Sequence, residues 1–232
     1  MIFHIGLENN NEGIRSQAWA LEYPGCFAYG KDEKEVLSNL PAAIRSYAQW
    51  VAQHESSWMV DATKIELKVE DIFTAYCINE AFERVGKSDN EINAWFQDDR
   101  KPLTAVDIER GLKLLSWTRE DLLDNIKSLS AEKLERTYPN ERWSINGILN
   151  HVGGAEWWYL NRLGLAFPRA EMPKEPMARL EKVRSYFNET LSKLEGSKQV
   201  VEIDGEFWSP RKILRRAVWH ERDHTIHIQK LL

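Results

Sequence analysis

The sequence holds only two cysteines in 232 residues, Cys26 and Cys77. They lie far apart and no CxxC pair occurs, so a redox dithiol, a zinc knuckle and a disulfide framework are all unexpected. Long apolar runs are missing too. No stretch approaches the ~20 residues that a membrane helix needs, and the segment from Met1 to Asn10 lacks a basic start followed by an apolar core. A cytoplasmic protein without membrane contact is the expectation. No long basic run is present and the formal net charge is −5. That argues against a nucleic-acid partner, which calls for a broad basic face. The local group Arg211, Lys212, Arg215 and Arg216 reads as the solvated face of a helix. A tandem repeat of solenoid period (about 20–50 residues) is also not seen.

What the chain does have is enough to fold. Hydrophobic residues make up 43% and charged residues 29%, the balance of a soluble globule rather than a disordered chain. Its length suits one large domain or two modest ones. Ten tryptophans point to aromatic-rich cores or walls.

The pattern divides the chain. Ile2 to Leu7, Gln17 to Tyr23 and Cys26 to Tyr29 read as short strands. Asn9 to Gly13 marks one turn and Pro24-Gly25 another, because proline fixes φ and glycine accepts positive φ. Asp32 is a candidate N-cap, with Glu35 three residues on. Val36, Leu40, Ala43, Ile44, Tyr47 and Val51 then recur at helical spacing, predicting a helix laid on a sheet. Lys64 to Val69 alternates as a last strand. Asp71 to Val85 reads as a helix on the spacing of Ile72, Tyr76, Ala81 and Val85, broken by Gly86 to Asn90. We therefore expect a domain over 1–70, a connecting segment over 71–101 and a helical domain over 102–232. In class this is α+β: a small sheet-and-helix domain followed by an all-α four-helix bundle.

Four amphipathic helices fill the last part. Thr104 and Asp107 open the first, and Ile108, Leu112, Leu115, Leu122, Ile126 and Leu129 line its inner stripe. Ser144 caps the second, whose apolar side is Ile145, Ile148, Leu149, Val152, Ala155 and Trp158. The third spans about Met177 to Leu194. Val200 to Phe207 reads as an extended or hairpin-like link around Asp204-Gly205. Ser209-Pro210 opens the fourth, with proline at its tolerated first position. Trp143-Ser144-Ile145-Asn146-Gly147-Ile148-Leu149 and Trp208-Ser209-Pro210-Arg211-Lys212-Ile213-Leu214 share a Trp-Ser opening and an Ile-Leu pair.

The candidate chemistry lies in the second and fourth helices. His220 and His224 stand at i and i+4, a spacing that lets two imidazoles reach one ion. His151 falls on the inward side of the second helix and completes a three-histidine set. Facing helices of bundles commonly build metal sites in this way. His227 lies on the same stripe, as a fourth ligand or as support for one. His220-Glu221-Arg222-Asp223-His224 also fits HExxH, in which the glutamate is a general base. Only eight residues follow His224, too few for the usual downstream ligand of a protease. Glu221 then either serves a histidine or faces solvent. Trp157, Trp158 and Trp219 are candidates for pocket walls or for ordinary packing, and His4 and His54 for plain strand and helix-surface residues.

Two resemblances follow from these residues. The order strand, strand, Tyr23-Pro24-Gly25-Cys26, strand, Gly30 and an acid-capped helix resembles the small α+β domain of HicB-type antitoxins. That resemblance implies a protein partner at the N-terminal domain. The bundle, with Asn150-His151-Val152 before Ala155-Glu156-Trp157-Trp158 and His-x-x-x-His in its last helix, resembles the DinB/YfiT-like superfamily over roughly residues 90–232. This implies His151, His220 and His224 as ligands of a divalent metal ion, zinc or nickel. It further implies a metal-dependent enzyme, thiol-dependent S-transferase-like or hydrolytic, with a small-molecule thiol as one substrate class, and a homodimer among its assemblies. The alternative is a non-catalytic, antitoxin-like binding protein with a structural metal.

Overall fold

The computed structural model describes residues 1–87 and 90–232. These form two compact units, Met1–Lys101 with Val200–Trp208, and Pro102–Gln199 with Ser209–Leu232. The class is α+β: a β-rich first unit and an all-helical second one. Residues 71–101, read above as a connection, fall within the first unit.

In the first unit, β1 (Ile2–Asn11), β2 (Arg15–Ala20), β3 (Phe27–Gly30), α1 (Glu33–His54) and β4 (Glu66–Thr74) build one layer of sheet and one of helix. Strand order is β3-β2-β1-β4. β1 runs antiparallel to β2 and parallel to β4. Phe3, Ile5 and Leu7 are fully buried, the alternation of a strand with one face in a core. Val36, Leu40, Ile44 and Tyr47 of α1 are buried with them. The helix starts where expected, since the Asp32 carboxylate accepts the Glu35 N–H at 2.8 Å. Gly30 lets the strand turn into that helix at close quarters. A Cβ on it would lie 2.3 Å from the Val36 backbone nitrogen.

The helix expected over Asp71–Val85 does not form. β4 continues to Thr74, and β5 (Tyr76–Ile78), β6 (Arg84–Val85) and β7 (Glu91–Ile92) make a second sheet in the order β6-β5-β7. The reason is tertiary. Parallel pairing along β1, from Ile2 with Glu66 to Asn9 with Thr74, holds this stretch extended, and context of this kind overrides apolar spacing. The side-chain oxygen of Asn79 then accepts the N–H groups of Ala81 and Glu83 and turns the chain. The break placed at 86–90 includes Ser88 and Asp89, which lie outside the described residues. The later link is a hairpin, β8 (Val201–Ile203) with β9 (Glu206–Trp208). Asp204 and Gly205 both have positive φ, 53° and 77°, as a two-residue hairpin turn of the primed type requires.

The second unit comprises α2 (Ala105–Ile126), α3 (Ala131–Glu135), α4 (Ile145–Arg162), α5 (Pro176–Leu191) and α6 (Pro210–Leu231). Three of the expected starts appear with their caps. Thr104 and Asp107 form a full capping box, Ser144 accepts the Gly147 N–H, and Ser209 accepts the Lys212 N–H. The five-residue α3 has no counterpart in the sequence reading. α2 packs on α6, and α4 packs on both α5 and α6. One core joins Leu122 and Ile126 of α2, Ile148, Leu149 and Val152 of α4, Leu180 of α5 and Ile228 of α6. Burying each such side chain contributes about 1.5–3 kcal/mol.

A set of charges is buried in the same unit, one from each long helix. Arg119 of α2, Glu156 of α4, Arg184 of α5 and Glu221 of α6 form four ion pairs. Thr118 adds a hydroxyl donor to Glu221 at 2.6 Å. The basic group at the start of α6 departs from expectation. Lys212, Arg215 and Arg216 are buried rather than solvated, because this end of α6 is enclosed on almost every side. Arg211 reaches the Pro102 carbonyl and the Asp107 carboxylate, each at 2.8 Å. Cys26 and Cys77, both in the first unit, are free thiols. Among the described residues no helix is long and apolar enough to cross a membrane.

Gly30 gives a test of the first unit. The atom that a new Cβ would meet is backbone, so relief requires moving α1. We expect Gly30→Ala to destabilise this unit by about 2–3 kcal/mol, the upper part of the range for overpacked sites. Amide hydrogen exchange in β3 and α1 is the measurement, and unchanged protection there would contradict the packing described.

Candidate metal centre

The two serine-capped helices bring three histidines together. His151 lies two turns into α4, and His220 and His224 follow one another by a turn on α6. His220 Nε2 stands 3.0 Å from His151 Nε2 and 3.2 Å from His224 Nε2. The rings meet edge to face, with centroids 4.5–5.0 Å apart. His220 is 9% exposed, and the other two are half-buried.

Such a set fits a cation. Metal–nitrogen bonds of about 2.0–2.1 Å at tetrahedral angles place ligand nitrogens about 3.3 Å apart. The observed separations come within a few tenths of an ångström of that. Among the described residues these three form the one group of histidine, cysteine or acidic side chains in ligand-like proximity. Among the described residues, the converging Nε2 atoms are partnered with one another. Neutral imidazoles cannot all donate and accept in such a ring of lone pairs, whereas a cation at its centre accepts every pair. Imidazole nitrogens are suited to zinc and nickel alike.

Electrostatics keeps the rings neutral and so ready to ligate. Burial lowers the pKa of His220 well below the usual histidine value, and the neighbouring His224, His151 and Arg216 push it the same way. Burial, with His151 and His227 nearby, lowers that of His224 to about 3. His151 is lowered by burial and then by the Arg142 charge.

The surroundings sort the other candidates. Glu221 is 1% exposed and turned away from the triad. Its carboxylate accepts Arg119 Nε, Arg184 Nη2 and the Thr118 hydroxyl, each at 2.6 Å. Burial alone would raise its pKa, but Arg184 and Arg119 hold it below the usual carboxylate value. It is therefore neither the general base of an HExxH site nor a solvated residue. His227 stands outside the converging nitrogens. Its ring is 6.0 Å from that of His224, and its Nε2 lies 2.9 Å from a Glu141 carboxylate oxygen. Trp157 is packing, with its indole N–H on the Phe167 carbonyl at 2.9 Å. Trp158 lies against Tyr159 and beneath Arg162. Trp219 flanks His220 at 5.8 Å between centroids.

The sequence reading passed over Trp143 as a contact of the site. Its ring stacks on His151 at 4.5 Å and 25°, with the Arg142 guanidinium 4.7 Å from the ring centre on the same indole. The available signal was the repeated Trp-Ser opening, which marks a tryptophan at the head of each histidine-bearing helix. The partners of Glu156 and Glu221 left a fainter mark, as charges on faces that otherwise read as core. Two grooves of about 610 Å³ each flank α5, and no triad histidine lines either of them.

The depressed histidine pKa values set a pH dependence with a definite sign. A base whose folded pKa lies below its unfolded value contributes its full stability above that unfolded value, about 6.5. As pH falls, the unfolded chain takes up protons that the folded one refuses, and stability is lost toward the folded value, about 3 for His224. For the metal-free protein we expect a loss of up to about 1.4 kcal/mol per pH unit for each such histidine. Urea unfolding at pH 7 and pH 5 measures it. His224→Gln should show the shallower slope, and equal slopes for the two proteins would contradict the assignment.

The chain has similarities to known proteins in this region. Residues 114–228 match the DinB superfamily. A protein of Oceanobacillus iheyensis named "Putative metal-dependent hydrolase OB0413" is 26% identical over 151 residues, which is 55% of this chain and 86% of that protein. Among solved structures, YfiT from Bacillus subtilis, described as a probable metal-dependent hydrolase with an unusual four-helix bundle topology, aligns with a TM-score of 0.46 and 15% identity. It covers 57% of this chain and 89% of its own. The stretch similar to the DinB superfamily runs from Leu114 on α2 to Ile228 on α6 and contains all three histidines of the cluster.

Proposed function

We propose that the helical unit is a metal-dependent enzyme in which His151, His220 and His224 hold one divalent cation, zinc or nickel. The observation that carries this reading is the convergence of three neutral imidazole nitrogens at 3.0–3.2 Å. Held by these three histidines, a divalent ion would supply a water or thiol acidified toward neutrality. Hydrolysis is the reaction class we favour, in keeping with the name of the Oceanobacillus relative. A thiol in place of water would give S-transfer on the same site.

The protein's own residues supply position and surroundings. Trp143 covers one face of His151 and fixes its ring plane. Trp219 and Tyr159 lie against His220, with centroids 5.8 and 6.1 Å away. Arg142 and Arg216 set a positive field at the triad, both acting to disfavour protonated imidazole. The partner-binding reading of the N-terminal unit is a separate proposal that rests on its β-β-β-α-β order, and co-purification of a small protein bound to that unit is its test.

Metal analysis of purified variants tests the site. We expect about one ion per chain in the wild type and loss of that ion in His151→Ala and His220→Ala. His227→Ala should keep the ion, because its nitrogen is directed at Glu141. Turnover of chromogenic esters and amides, with and without added thiol, then separates hydrolysis from thiol transfer. Wild-type metal content in both ligand variants would refute the site.

A further inference from the structure

His220 and His224 share a helix, so their separation is set by the helix itself. His151 comes from α4, and the triad closes only if α4 and α6 are held in one register. Apolar contacts between them through Leu149, Val152 and Ile228 are non-directional and tolerate sliding. A metal site tolerates little: ligand distances must fall within about 0.2 Å of ideal.

We propose that the buried charges Arg119, Glu156, Arg184 and Glu221 are positioning residues for the triad, fixing α4 against α6. This rests on the metal-binding reading given above. Each guanidinium grips one carboxylate from each histidine-bearing helix. Arg184 donates Nε to Glu156 at 2.5 Å and Nη2 to Glu221 at 2.6 Å. Arg119 donates Nε to Glu221 at 2.6 Å and Nη2 to Glu156 at 3.4 Å. The remaining nitrogen of each is tied to backbone, Arg119 Nη1 to the Leu180 carbonyl at 2.7 Å and Arg184 Nη1 to that of Leu115. The forks are thus anchored on α2 and α5 and cannot shift with the acids they hold. A planar guanidinium that bridges two carboxylates through separate N–H groups is directional, which apolar packing is not.

The clamp is also close to what it positions. Glu221 is the residue after His220. Glu156 is five residues after His151, about 7.5 Å along α4. Both acids are almost fully buried, 3% and 1% exposed, so water does not substitute for the arginines.

The test separates positioning from mere stability. Glu156→Gln and Arg119→Met each loosen the tie between α4 and α6 without touching a ligand. Arg119 is the most exposed member of the set, so its variant provides a folded protein should Glu156→Gln fail to fold. Leu122→Ala, a cavity in the same core, supplies a comparable stability loss with the clamp whole. For each, urea unfolding gives stability, and Co(II) titration gives both affinity and the ligand-field spectrum. We expect clamp variants to bind Co(II) at least tenfold more weakly than wild type with an altered ligand-field band. Leu122→Ala should keep the wild-type affinity and band. Clamp variants with unchanged affinity and spectrum, or an affinity that follows stability across all three proteins, would overturn the proposal. A wild type that binds neither Co(II) nor Zn(II) would instead overturn the metal reading beneath it.

Discussion

The second unit depends on a charge problem solved inside its own core. Glu156 and Glu221 are buried carboxylates, and burying an ion costs several kcal/mol unless it is paired and hydrogen-bonded. Here each acid meets both arginines, and all six guanidinium nitrogens, three in each, have an acceptor. Burial alone would depress the Arg184 pKa, but Glu156 and Glu221 raise it instead. The set is neutral in sum, and every guanidinium nitrogen has a partner. An apolar core of the same volume could be as stable or more so. What the ionic version adds is direction, since four helices must be in register for four side chains to satisfy one another.

The triad lies beside that set and obeys the opposite rule. Its members are buried enough to lose their charge, and among the described residues no carboxylate joins their cluster. Glu221, which follows His220 directly, is already committed to two arginines. Arg142 and Arg216 press the same way as burial. The result is a group of imidazoles poor at binding protons and well arranged to bind a cation, with both properties arising from one environment. HExxH spacing at Glu221 therefore has a structural meaning rather than a proteolytic one: successive positions on a helix point about 100° apart, and His220 and Glu221 serve different neighbours.

Much of this was legible in the residues. Local chemistry fixes Asp32, Thr104, Ser144 and Ser209 as helix starts, because a cap needs only its own side chain and the next turn. His220 and His224 were legible for a similar reason, their spacing being a property of one helix. His151 could be added because the apolar stripe of α4 has a single face. Residues 71–85 depart from the helix that their spacing predicts because pairing decides them: β1, some sixty residues earlier, holds the stretch up to Thr74, and β5 pairs with β6 and β7 beyond it; the helical spacing of Ile72 and Tyr76 carries no trace of either. The basic start of α6 departs from expectation because charge by itself points to solvent, whereas Lys212, Arg215 and Arg216 are buried. Lys212 and Arg215 have long apolar stems that can be buried, and their enclosure is not written in the segment itself.

The placement of Glu156 shows where sequence reasoning could have gone further. It sits four residues after Val152, on the stripe that otherwise holds Ile145, Ile148 and Leu149. A charge in such a position is unfavourable unless a partner of opposite sign reaches it from a facing helix. The candidates were the arginines in register on the other amphipathic helices, and Arg184 stands beside Val183 on the inward side of α5. Glu221 then follows from the same requirement, since two arginines in one core need a second acid. The histidine cluster could be inferred from what binds a metal, whereas the ion cluster could be inferred only from what a core rejects. Both lead to α6, which presents His220 and His224 to one side and Glu221 to another, and this shared helix is why the placement of the acids bears on the geometry of the ligands.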